Sequence, residues 1–195
     1  MEHWEIGISI LFRISNLEFM KVLLHICCAP CGGYVIEKLK EMGWDVTAFF
    51  YNPNVFPKEE YDLRLSEAKK LCEKYDVNLI EGEYDHGAWL EKIKGLEKEP
   101  EKGKRCEVDF TLRLSETAQV ASENGFDAIA ATLTVSPHKP AELINEIGHE
   151  MAAMYGVTFI DNIWRKGDGF KKSCEICDKE HFHRQNYCGC EFSVN

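Results

Sequence analysis

Five short apolar runs, at residues 22–26, 44–51, 77–80, 126–132 and 157–161, alternate with amphipathic helical stretches along the chain. Strands that alternate with helices specify an α/β fold, a parallel sheet of about five strands with helices on both faces. The first run, VLLHI, is short and apolar, as a buried strand should be. A helix is predicted from Cys31-Gly32-Gly33 to Met42, with Val35, Ile36 and Leu39 on one face. NPNVFP reads as a loop, and residues 58–75 as a long helix with Tyr61, Leu65, Ala68, Leu71 and Cys72 turned inward. Residues 83–105 are charged and glycine-punctuated, the pattern of an inserted helical segment and a loop that is mobile near 97–104. Further helices are predicted at 106–124, 141–155 and 171–187, before the chain closes with CGCEFSVN. In such folds ligands sit at the carboxyl ends of the strands, where residues 27–31, 52–57, 132–139 and the tail should gather.

With 195 residues, of which 45% are apolar, the chain can bury a full core without disulfides. Met20 directly precedes the first strand, so residues 1–19 read as an N-terminal extension and 20–195 as a single α/β domain. Arg13 interrupts the apolar stretch near the start, and no run approaches the roughly 20 apolar residues of a membrane span. The expectation is a cytoplasmic protein with no membrane partner. The formal net charge of −10 argues against non-specific nucleic-acid binding, unless a local basic patch forms near Lys166, Lys171 and Lys172, or near Lys102, Lys104 and Arg105.

Nine cysteines exceed what an ordinary core uses, and point to metal or redox work. Three of them, Cys27, Cys28 and Cys31, stand where a phosphate-binding loop usually carries glycines. A helix N-terminus should lower their pKa values, and thiolates suit soft metals and iron–sulfur clusters. Buried cysteines acting as small hydrophobes explain one such residue well and three poorly. In RCEVDF, Cys106 and Asp109 have the i, i+3 spacing that turns both side chains to one side of a helix. Cys27, Cys28, Cys106 and Asp109 would together supply four ligands, although Asp109 would equally suit a plain helix N-terminus. In the tail, Cys188 and Cys190 flank Gly189 and read as a strained, easily reduced disulfide or as two further metal ligands. Cys174 and Cys177 have knuckle spacing but sit mid-helix, where core packing is the simpler reading, as it is for Cys72. His181 and His183 read as exposed helix residues, and His25 as a residue of the core or of the site floor.

The ordered segments HICCAPC, FYNPNVFPKEEYDLR, RCEVDFTLRLSETA, ATLTVSPHK and HRQNYCGCEFS resemble the QueH family of epoxyqueuosine reductases, over residues 21–194. The resemblance implies a Rossmann-like sheet related to the ATP-pyrophosphatase and HUP layer. It implies an enzyme that removes the epoxide oxygen of epoxyqueuosine at the wobble position of tRNA, giving queuosine. A [4Fe-4S] cluster would be held by Cys27, Cys28, Cys106 and the residue at 109, where the family usually carries cysteine and this chain has Asp109. Cys188 and Cys190 would be the redox-active pair. Cys31 would bind a second, mononuclear iron or shuttle electrons. An electron donor is implied as a partner. Tyr51, Asn52, Lys139, Arg184 and Tyr187 would hold the nucleoside or its phosphate by stacking and charge.

Three other functions use related parts. An ATP-dependent tRNA sulfurtransferase would need an S-G-G-x-D-S-like loop after the first strand, and C-A-P-C-G-G stands there instead. A zinc-stabilised tRNA-binding module would be colourless. A thiol–disulfide oxidoreductase would need neither iron nor RCEVD.

Overall fold

The computed structural model describes residues 19–193, so the expected N-terminal extension lies outside it apart from Phe19. In chain order the elements are β1 (Lys21–His25), α1 (Ala29–Glu41), β2 (Asp45–Phe50), α2 (Lys58–Tyr75), β3 (Asn78–Glu81) and α3 (His86–Lys92). They continue with α4 (Lys104–Glu123), β4 (Ala128–Ala131), a 3-10 turn at Thr132–Val135, α5 (Ala141–Tyr155), β5 (Thr158–Phe159) and α6 (Gly169–Glu180). The sheet has the order β3-β2-β1-β4-β5, and every pairing is parallel. The chain builds outward from β1 to β3, then returns to add β4 on the other side of β1. That reversal opens a crevice above the carboxyl ends of β1 and β4, where such sheets bind ligands.

Alternation along the strands divides the core in two. Val22 and Leu24 of β1, Ala48 and Phe50 of β2 and Ala130 of β4 pack with Ile36 and Leu39 of α1 and Leu71 of α2. Leu23, Phe49 and Ile129 face the other way, onto Leu114 and Ala118 of α4 and Ile144 and Met151 of α5. A smaller cluster joins Trp89 and Ile93 of the insertion to Cys190 and Phe192 of the tail. Asp85 caps α3 by accepting the Ala88 N–H at 2.8 Å.

Helices α2 and α5 keep the boundaries that periodicity predicts. β1 and β3 keep the lengths of their apolar runs, shifted by one residue, whereas β2, β4 and β5 are shorter, because pairing ends before apolarity does. β5 keeps only two of the residues from 157–161. The last helix ends at Glu180, not at 187, and its C-cap His181 is left-handed with φ 55°. Residues 182–187 are therefore free to turn across the sheet edge. The 97–104 segment, expected to be mobile, is gathered around the buried Arg105, which donates to the carbonyls of Leu96, Glu97 and Glu99.

α5 approaches β5 at Gly148, where an added Cβ would lie 2.4 Å from the Phe159 ring. Phe159 is buried and cannot swing away. Gly148→Val should destabilise the protein by about 1–3 kcal/mol through overpacking. A urea denaturation midpoint equal to wild type would show that the helix can slide off the strand at no cost.

Candidate active site

The site begins where β1 leaves the sheet. The Ile26 N–H bonds to the Phe49 carbonyl at 2.9 Å, and the Ile26 carbonyl accepts from Asn52 Nδ2 at 3.0 Å. The chain is thus held straight as far as Cys27. Cys28 is the extended N-cap of α1, and Pro30 occupies the first turn, where its missing N–H is not needed. These constraints bring the Cys27 and Cys28 sulfurs to 3.8 Å from each other. Thr132 Oγ1, just past β4, lies 3.9 Å from Cys27 Sγ.

A cleft of about 490 Å³ opens here, lined among others by Cys27, Cys31, Arg113, Thr132, Lys139, Arg184, Tyr187 and Cys188. Distant stretches therefore bring thiols or cations to one hollow, among them the β1–α1 turn, α4, the segment that follows β4, and the tail. Lys139 Nζ lies 3.1 Å from Cys188 Sγ, and its ammonium sits 5.4 Å from the centre of the Phe110 ring. Cys28 is buried beside Cys27. Cys106, half-buried, accepts the Lys102 N–H at 3.3 Å.

The thiols do not ionise as a helix N-terminus alone would dictate. The hydrogen bond to Cys28, and then burial, raise the Cys27 pKa well above that of an ordinary thiol, against opposition from Lys139 and Arg113. For Cys28 the bond with Cys27 favours the thiolate, but its contact with Cys31 and burial outweigh that and push its pKa up to about 12. Thiol–thiol contacts and burial set the outcome, and the sequence pattern shows neither.

Asp109 is buried on α4 and uses both oxygens. Oδ1 accepts from Trp89 Nε1 at 3.2 Å, and Oδ2 pairs with Arg113 one turn on. Burial would discharge Arg113, and the charges of Asp109 first, then of Cys188 and Cys27, more than offset it. Beneath them His25 donates from Nε2 to the Tyr51 carbonyl, 3.0 Å away, while its buried Nδ1 has no partner. Burial, and then Arg113, lower its pKa to about 3, so the ring is neutral.

The structure does not bring every predicted site residue to this cleft. Asn52 is fully buried, holding the Ile26 carbonyl. Tyr51 lines a separate hollow of about 220 Å³ with Glu83, Asp85 and Glu116. Cys190 is buried against Trp89 and Ile93. Cys72 and Cys177 are buried as expected of core residues, whereas Cys174 lines the cleft, with Arg184 Nη2 2.7 Å from its sulfur. Sequence reasoning passed over Arg113, whose signal is its i, i+4 spacing from Asp109, and Arg64, placed likewise after Glu60.

Among the described residues no three His, Cys, Asp or Glu side chains converge on a point that a single metal ion could occupy. The second, mononuclear iron expected at Cys31 thus has no three-residue group of that kind around it among the described residues. A cluster asks instead for thiols spread around a larger body. The donor chemistry suits that: Cys27, Cys28 and Cys106 are soft ligands, and Asp109 keeps lone pairs beyond its two hydrogen bonds. Arg113 and Lys139 supply the nearby positive charge that ligand thiolates need.

The fold and its thiol-lined switch point define an α/β protein built on a parallel sheet that reverses its order at β1. The predicted subunit of tRNA methyltransferase from Methanocaldococcus jannaschii superposes with a TM-score of 0.56 at 12% identity, over 82% of this chain and 74% of that one. The U34-tRNA thiolase NcsA from Methanococcus maripaludis, solved with its [4Fe-4S] cluster, superposes with a TM-score of 0.54 at 14% identity, over 90% of this chain and 61% of that one. Within that class the chain belongs to the QueH family: the family model described as epoxyqueuosine reductase QueH matches residues 22–195. Proteins of that name from Histophilus somni and Acinetobacter baylyi are each 43% identical over 175 residues, covering 89% of this chain and 72% and 80% of their own lengths. The relative from Thermotoga maritima is 35% identical over 176 residues, 89% of this chain and 90% of its own. The chain is accordingly an oxidoreductase, and no described helix is long and apolar enough to cross a membrane.

Removing one partner of the Asp109–Arg113 pair leaves a buried charge uncompensated. Asp109→Ala should cost about 3–5 kcal/mol in guanidinium unfolding, and Asp109→Leu combined with Arg113→Met should recover most of that loss. Additive losses in the two single variants and the double variant would show that the pair is not coupled.

Proposed function

We propose that the protein reduces epoxyqueuosine to queuosine at the wobble position of tRNA. The carrying observation is the convergence of Cys27 and Cys188, from opposite ends of the chain, on one cation-lined cleft at the sheet's switch point. Membership of the family supports the reading, as does the cluster carried by a structural neighbour.

Removing an epoxide oxygen to leave an alkene needs two electrons and two protons, and releases water. In the proposed site Cys27, Cys28, Cys106 and Asp109 hold a [4Fe-4S] cluster. When bound, that cluster supplies single electrons and a Lewis-acidic iron for the epoxide oxygen. Cys188 and Cys190 cycle between dithiol and disulfide and store two electrons, replenished by an external donor. Cys31 lines the cleft and contacts Cys28, which suits a part in electron transfer between the thiols. Arg184 and Tyr187 line the same cleft, offering charge to a phosphate and a ring face to a base. Lys139 adds a cation among the thiols. Tyr51 and Asn52 act indirectly in this scheme: Asn52 fixes the turn that presents Cys27, and Tyr51 holds His25 through its carbonyl. The sulfurtransferase reading lacks its phosphate loop.

Protein purified without oxygen should be brown, with iron and sulfide in the proportion of a [4Fe-4S] cluster. It should convert epoxyqueuosine in tRNA to queuosine when supplied with a reductant. Serine at both Cys188 and Cys190 should abolish steady turnover. A colourless zinc protein that binds tRNA without converting it would establish the binding-module reading instead.

A further inference from the structure

Lys139 was expected to meet a substrate phosphate, but its ammonium is directed at a sulfur. Nζ lies 3.1 Å from Cys188 Sγ, and the side chain lies across Phe110. Arg165 Nη1 donates to the Lys139 carbonyl at 3.3 Å and holds the segment in place.

The peptide bearing Cys188 is clamped as well. Arg64, 2% exposed on α2, donates from Nη1 to the Cys188 carbonyl at 3.0 Å and from Nη2 to the Tyr187 carbonyl at 3.4 Å. Phe56 N–H donates to the Gly189 carbonyl at 2.8 Å. Gly189 has φ +116°, and a Cβ there would lie 2.8 Å from Arg64 Nη1, so only glycine lets the clamp close.

Its partner in the C-G-C pair is placed differently. Cys190 is 8% exposed beside Trp89 and Ile93, and burial pushes its pKa up to about 11. It remains a protonated thiol at neutral pH. The two cysteines thus meet opposite environments two residues apart.

We propose that Lys139 and Cys188 form an ammonium–thiolate pair that makes Cys188 the reactive thiol of the C-G-C motif, with Arg64 as the residue that positions it and Cys190 as the protonated reserve. This rests on the redox role proposed above for the motif. Burial is the largest single influence and works against charge on Lys139, as does Arg113; the charge and hydrogen bond of Cys188, with Cys27, together more than offset them, so the net effect raises the lysine's pKa. His25, behind these groups, is neutral and adds no competing charge. Disulfide formation then joins the Cys188 and Cys190 sulfurs. It releases two electrons, and one proton from Cys190. In the proposed reaction the electrons go to the epoxide.

The test is alkylation of the anaerobically purified, phosphine-reduced holoprotein with iodoacetamide, read by peptide mass mapping. Cys188 should label much faster than Cys190 at pH 7. In Lys139→Met the Cys188 rate at pH 7 should fall about tenfold and should recover at high pH. Lys139→Arg should retain most of the wild-type rate. A Lys139→Met profile identical to wild type at every pH would overturn the proposal, as would Cys190 labelling as fast as Cys188 in the folded wild-type protein. If Lys139→Met loses its fold, Cys190 becomes reactive in it too, and Lys139→Gln then carries the same comparison. Alkylation proceeds without substrate, so a protein that labels as expected but leaves epoxyqueuosine unchanged refutes the proposed reaction and not the thiolate pair.

Discussion

The pairing of β1 on both edges governs the rest of the molecule. His25, the last paired residue, lies level with Phe49 on one side and Ala131 on the other. A parallel strand in that position is buried on both faces and has no solvent-facing side on which to display chemistry. Val22, Leu23 and Leu24 are fully buried, so the reactive groups can appear only beyond the strand's carboxyl end. Cys27 and Cys28 occupy that position, and the Ile26 backbone, bonded to Phe49 and Asn52, fixes the direction in which they leave the sheet.

Charge is arranged around that exit. The chain carries a net −10, yet Lys102, Arg113, Lys139 and Arg184 line the main cleft, with Glu101 as the acidic residue among its walls. The carboxylates Glu83, Asp85 and Glu116 gather instead around the second hollow, where burial and then their charge push the Tyr51 pKa up to about 12. Net charge is thus a poor guide to this protein's local field. An anionic substrate meets cations at the thiols, and cluster ligation would draw on the same positive charge.

The alternation of strand and helix made the architecture legible, because a 2-residue and a 3.6-residue period cannot be confused over helices as long as α2 and α5. The cysteine segments were legible for a related reason: each stands beside a strand or helix end. What remained hidden depended on direction. Phe49 and Tyr51 stack at 5.9 Å on one face of the sheet, and that face leads Tyr51 to the second hollow. Asn52 looks like a polar loop residue, but its amide is needed to satisfy a buried carbonyl. Cys174 and Cys177 share one helix face at i, i+3, yet the cleft edge passes between them. Arg113 and Arg64 read as ordinary surface charges until tertiary packing buries them against acids and carbonyls.

In the tail, the two cysteines of one short motif are held from different sides. Tyr187 through Gly189 are held from the α2 side, by Arg64 and by Phe56, and the Tyr187 hydroxyl donates to the Phe56 carbonyl at 2.6 Å. Cys190 and Phe192 are held from the opposite side, where Phe192 stacks 6.3 Å from Trp89 and lies 5.2 Å from the Arg105 guanidinium. Trp89 also bonds Asp109, so the support under Cys190 connects to the acid beside the proposed cluster. Gly189 is the joint between the two supports, in a conformation that side chains rarely adopt. A change at the Cys188–Cys190 pair therefore acts on a jointed segment anchored on two sides, by Arg64 and Phe56 on one and by Trp89 on the other. Through Trp89 and Asp109 it reaches α4, the helix that carries two of the proposed ligands, by contacts already present in this structure.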